Sequence, residues 1–122
     1  KLPQVHFSEL SIFEAKAKLQ RLSRKNTTYV QVLKAFGTNL ATLREDEKFI
    51  FHSYTAQDDK NFNLIYSENL ELDSFDMIII AQALNIGTLI TEDREILSAR
   101  GPFSKDPALG KINIKQWKEL TT

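Results

Sequence analysis

Residues 73–93 read DSFDMIIIAQALNIGTLITED, and this stretch decides the fold. Asp73 stands where a helix N-cap belongs, and Met77, Ile80, Ala81 and Leu84 then recur at helical spacing. Ile78 and Ile79 make the other face apolar too, so the helix is expected to be largely buried. Gly87 follows as its C′ residue, because glycine takes the left-handed backbone that closes a helix without a steric penalty. Thr88–Thr91 (TLIT) is then a brief apolar strand, and Glu92–Ala99 returns to helix until Gly101 and Pro102 break it. Helix, glycine turn, strand and helix in this order are parts of a layered α/β domain with a mainly parallel sheet.

Upstream, Lys1–Phe7 reads as a short lead-in carrying Pro3. A helix follows to about Arg24, with two apolar series: Leu10, Phe13 and Ala17, and Ile12, Ala15, Leu19 and Leu22. Either Ser8 or Ser11 fits its cap, Ser11 forming a capping-box pattern with Glu14. A second helix starts at Asn26 or Thr27 and carries Tyr29, Leu33, Phe36, Leu40 and Leu43 on one stripe, with Gly37 inside it. Lys48–Tyr54 (KFIFHSY) is aromatic and β-favouring, hence a strand, and Thr55 can cap a helix through Ala56–Glu68. Downstream lie a last strand at Lys111–Ile114 and a helical turn holding Trp117 and Leu120. No repeat or linker divides residues 1–122, so one domain is expected. Three short strands are thin for such a sheet, which implies that a central strand is missing from it.

Sixteen basic residues balance sixteen acidic ones, so overall charge does not point to a polyanionic partner, and affinity for one has to come from a local patch. The chain has no cysteine, which excludes disulfides and thiolate metal sites and accords with a cytoplasmic setting. His6 and His52 are the only imidazoles, too few to suggest zinc. No apolar run approaches the roughly 20 residues of a membrane span, so no membrane partner is expected.

Three acids stand out by position. Asp93 follows directly on the strand Thr88–Thr91, at the end where open α/β sheets place their ligand sites. It equally fits the cap of the next helix. Asp76 opens the apolar helix, where a carboxylate is partly desolvated and calls for a partner, or serves the helix dipole beside Asp73. Glu14, among Ile12, Phe13, Ala15 and Ala17, fits a capping box or an i+4 pair with Lys18 as well as a site.

Taken together, the 73–93 block resembles the signature of PIN domains: an aspartate opening a helix with small residues, a glycine turn, an apolar strand, then Thr91-x-Asp93. Upstream, residues 7–14 (FSELSIFE) are similar to the family's serine-led helix bearing a glutamate. The resemblance implies a three-layer α/β/α fold with Glu14, Asp76 and Asp93 as catalytic, metal-binding acids, supported by Thr91 and Ser8. It also implies a further aspartate at the end of a first, central strand. That strand would precede Lys1, and Asp46, Asp58 and Asp59 cannot replace it by order along the chain. The domain is therefore expected to be N-terminally incomplete, and residues 1–122 alone to bind metal weakly.

The implied activity is endonucleolytic hydrolysis of RNA with Mg²⁺ or Mn²⁺, since clustered carboxylates without His or Cys suit hard cations that activate water. A toxin of a toxin–antitoxin pair, with a protein antitoxin and a homodimeric state, is the setting this suggests. The alternative is a PIN-like module that no longer cuts and serves RNA binding or assembly. A receiver-like phosphate-handling domain is a third reading, disfavoured by the lack of a Gly-rich phosphate loop. Lys16, Lys18, Arg21, Arg24 and Lys25 are candidates for phosphate contact or for a solvated helix face. Trp117 and Phe103 are candidates for base stacking or for packing.

Overall fold

Ser8 is where the chain turns from strand into helix, and a computed structural model describing residues 4–68 and 71–120 shows both sides of that turn. Strand β1 (Val5–Ser8) ends at the serine, whose hydroxyl accepts from the Leu10 N–H at 3.2 Å and so caps α1 (Glu9–Lys25). Ser11, the other capping option, lies inside the helix. Helix α2 (Thr28–Arg44) and strand β2 (Phe49–His52) complete a β–α–α–β unit. It belongs to the first of two compact units, Lys1–Tyr54 and Thr55–Thr122.

The lead-in expected at Lys1–Phe7 is thus corrected to a strand from Val5; Pro3 lies outside the described residues. β1 pairs in parallel with β2, with Val5 opposite Phe49 and Ser8 opposite His52. Alternation puts Phe7, Phe49 and Phe51 on one face, where Phe7 stacks at 5.9 and 5.3 Å from the other two rings. His6 and His52 share the opposite face.

Of the two apolar series on α1, the second is the packing stripe: Ile12 is buried and Ala15, Leu19 and Leu22 are half-buried. Phe13, from the first, is 56% exposed. On α2 the expected stripe holds, with Leu40 buried and Leu33, Phe36 and Leu43 half-buried. Glu9 and Arg44 tie the start of α1 to the end of α2 through two 2.7 Å hydrogen bonds, and the guanidinium lies 4.4 Å over the Phe51 ring. The pair is partly exposed, so solvent screening keeps its contribution small.

The second unit contains α3 (Ala56–Tyr66), α4 (Ser74–Leu84), β3 (Thr88–Ile90), α5 (Arg94–Ser98), α6 (Arg100–Ser104) and β4 (Asn113–Lys115). Two short 3₁₀ turns, Leu109–Lys111 and Trp117–Leu120, flank β4. β3 and β4 pair in parallel. The mixed α/β class and the parallel sense are as the sequence implies, but among the described residues the strands form two separate pairs rather than one sheet. Gly101 and Pro102 do not leave a break. Helix α5 ends at Ser98, and Pro102 sits in the first turn of α6, where its missing N–H is no loss.

Asp73 caps α4 by accepting from the Asp76 N–H at 2.8 Å, and Gly87 follows the helix with φ +108°. Met77, Ile80, Ala81, Ile65, Ile96, Phe103, Leu109 and Ile114 form the core of this unit. Each large side chain fully buried there is worth about 1.5–3 kcal/mol.

Polar groups lock α3 onto α4. The Asp58 carboxylate, 2% exposed, accepts from the Thr55 N–H (2.7 Å) and hydroxyl (3.0 Å), closing a capping box, and from Asn85 Nδ2 (2.7 Å). Asn61 Nδ2 donates to Asn85 Oδ1 at 3.1 Å and to the Ala81 carbonyl at 2.8 Å, one of the last-turn carbonyls without a helical partner. Replacing Asp58 with Ala strands the Asn85 amide and the Thr55 N–H. Urea unfolding of D58A is expected to show a loss of ~2–4 kcal/mol. A loss within experimental error would show that the network does not hold the two helices.

Candidate functional site

The β3–β4 ladder carries the chain to the candidate acids. Thr91 continues it, donating its N–H to the Lys115 carbonyl at 2.9 Å. The Thr91 hydroxyl then accepts from the Asp93 N–H at 3.0 Å, and Asp93 caps α5. Oδ1 of Asp93 accepts from the N–H groups of Glu95 (2.9 Å) and Ile96 (3.2 Å). Among the described residues nothing donates to Oδ2, and the side chain is exposed. The cap reading of Asp93 is thus observed, with both cap bonds made to Oδ1. The Ile96 side chain, 4% exposed, anchors the turn in the core.

Asp76 is half-buried in the first turn of α4 and joined to Asp73 through its own N–H. In the first unit, Glu14 lies exposed on α1 two residues beyond the buried Ile12, and Ser8 is the α1 cap. Lys16, Lys18, Arg21, Arg24 and Lys25 are all exposed on the same helix. Phe103 is 1% exposed and belongs to the core, which removes it as a stacking surface, whereas Trp117 is 63% exposed.

Donor type and donor number speak differently about a metal. Carboxylate oxygens with one lone-pair face open, as on Asp93, are the ligands that Mg²⁺ and Mn²⁺ take. Among the described residues, however, no three His, Asp or Glu side chains gather into a set that could hold a cation.

Two arrangements escaped the sequence reading. One is the Asp58–Asn61–Asn85 network, for which Thr55-x-x-Asp58 is a visible but partial signal. The other is the imidazole pair: His6 Nδ1 and His52 Nε2 are 2.7 Å apart, and the rings stack at 4.9 Å. Nothing local announces it, because it needs the β1–β2 register. One ring nitrogen donates and the other must stay unprotonated to accept. Burial first, and the neighbouring His52 second, hold His6 below the ordinary histidine range.

Comparisons with family models, with curated proteins and with solved structures return no match. Among the described residues, no helix is long and apolar enough to cross a membrane.

Two predictions follow from these contacts. The lowered pKa of His6 means that its contact as a neutral ring contributes fully above about pH 6.5, and that this is lost as pH falls. Glu9, held low first by its hydrogen bond from Arg44, titrates below the usual carboxylate range, whereas Glu68, raised first by burial and then by Asp106, acts in the opposite sense, so H6Q isolates the histidine part. The urea midpoint should therefore rise between pH 5 and pH 7.5, and H6Q should flatten the rise. An unchanged slope in H6Q would contradict the shared-proton reading. For the cap, D93A should cost ~1 kcal/mol and D93N far less, since asparagine caps as well as aspartate. Equal losses in the two variants would show that charge rather than capping fixes this turn.

Proposed function

We propose that the chain is a metal-dependent endoribonuclease of the PIN class, hydrolysing RNA phosphodiester bonds. The observation that carries this reading is Asp93: an exposed carboxylate directly beyond a parallel strand, braced by the Thr91 hydroxyl and the α5 N–H groups, with both cap bonds on Oδ1. A residue needed only as a cap can be asparagine or serine at no cost. The aspartate supplies in addition a full negative charge, of which the dipole of the five-residue α5 uses a part and a bound cation would use the rest.

In this reading Glu14, Asp76 and Asp93 are the oxygen donors, and Mg²⁺ or Mn²⁺ when bound would activate water and offset charge on the phosphodiester. The half-burial of Asp76 raises the worth of a neutralising cation beside it. Thr91 is a positioning residue, fixing the Asp93 backbone from one side while the helix N–H groups fix Oδ1 from the other. Ser8 holds the first turn of α1, from which Glu14 projects one turn on. A toxin–antitoxin setting, a dimer and a cytoplasmic location complete the proposal.

The test exploits the cap. D93N keeps an acceptor for the Glu95 and Ile96 N–H groups but removes the charge. With a labelled single-stranded RNA, the protein as its gene encodes it should cleave in Mn²⁺ or Mg²⁺ and stop in EDTA. D93N should lose at least ~10²-fold of that rate, the scale of a removed charge-stabilising group, with its unfolding midpoint unchanged. Full cleavage by D93N would overturn the assignment.

A further inference from the structure

The net charge of zero conceals a division along the chain. Residues 1–54 hold nine Lys or Arg against five Asp or Glu, a net +4, and residues 55–122 hold seven against eleven, a net −4. Within the first unit the bias is sharper. From residue 15 to residue 44 there are seven basic residues and no acidic one. Five of the seven, Lys16, Lys18, Arg21, Arg24 and Lys25, lie within ten residues of α1, and all five are exposed.

A solvated helix face of ordinary kind pairs its cations with acids one turn away, as Glu–Lys at i, i+4 does. That option exists here and is not taken. Glu14 precedes Lys18 by four residues, yet none of the five cations forms an ion pair among the described residues. Arg44, the other arginine of the unit outside α1, has its carboxylate in Glu9. The packing stripe of α1 is Ile12, Ala15, Leu19 and Leu22, so the cations occupy the sides that packing leaves open. Lys18, Arg21 and Lys25 follow one another at i, i+3 and i+7, about 10 Å of axis at 1.5 Å per residue. Phe13, 56% exposed, precedes Lys16 by three residues and Arg24 by three turns on the neighbouring stripe. Clustered cations outside any ion pair, beside an exposed ring, match a strand that offers phosphates and stackable bases.

We infer that the outer face of α1 is a docking surface for the sugar–phosphate backbone of single-stranded nucleic acid, gripped through Lys16, Lys18, Arg21, Arg24 and Lys25. The surface owes nothing to Asp93, so it stands or falls independently of cleavage. Helix-terminal Arg24 and Lys25 also favour the C-terminal dipole, but Lys16, Lys18 and Arg21 lie too far from that end to act on it.

The experiment is fluorescence anisotropy with a labelled 20-nucleotide oligouridylate in EDTA, which reads binding without metal-dependent cleavage. With five phosphate contacts, log K should fall against log salt with a slope near ~−3.5, and in K18Q/R21Q/K25Q near ~−1.4, from about 0.7 per contact on a single strand. Glutamine keeps helix propensity at these exposed positions, so the circular dichroism and unfolding midpoint should match the parent. An unchanged slope in the triple variant would overturn the proposal. So would displacement of the oligonucleotide by poly-glutamate of equal length at equal concentration, which would mark the face as a site for an acidic protein.

Discussion

A buried carboxylate held by neutral donors fixes the second unit. Asp58 is almost fully enclosed and is satisfied by the Thr55 N–H and hydroxyl and by the Asn85 amide. Each donor lies at an end of a helix: Thr55 before α3, Asn85 after α4. The one side chain thereby sets where α3 begins and where α4 stops. Once α4 stops at Asn85, Gly87 can turn the chain with its positive φ, β3 can start at Thr88, and Thr91 reaches the place where it receives the Asp93 N–H. The polar lock thus closes the helix from which the chain runs through β3 to the candidate acid. Leaving such a group unsatisfied is expensive because the burial penalty is no longer offset.

The first unit is held differently. Its interior is slight, with Ile12 and Leu40 as its buried apolar residues. Around them lie the Phe7, Phe49 and Phe51 stack, the Arg44–Glu9 bridge and the hydrogen-bonded imidazoles. Pair interactions of this kind contribute modestly each, and the bridge and the imidazole contact respond to pH, whereas an aliphatic core does not. The acid-sensitive element and the cationic helix therefore belong to the same unit, apart from Asp76 and Asp93.

Much of the helical architecture was legible in the sequence because caps and periodicity are local. Asp73, Thr55, Ser8 and Gly87 all do what their residue types imply. What the sequence concealed depends on register across long separations. β1 is four residues long and gains meaning only against Phe49–His52, and the His6–His52 contact inherits that dependence. The choice between the two apolar series of α1 was open for a related reason: Phe13 is as hydrophobic as Ile12, and only packing decides that it is the one left out. At the site, the sequence posed Asp93 as either a cap or a functional acid. The structure shows the cap in detail, with both cap bonds on Oδ1. The proposed joint action of Glu14, Asp76 and Asp93 rests on the resemblance and on donor chemistry.

The most direct test of the central claim asks where a divalent cation goes. Sub-stoichiometric Mn²⁺ added to the ¹⁵N-labelled protein broadens the amide signals nearest to it. The account predicts the strongest loss at Thr91–Ile96 and around Asp76, reversed by EDTA and absent in D93N. Broadening centred on His6 and His52, with residues 91–96 untouched, would contradict it.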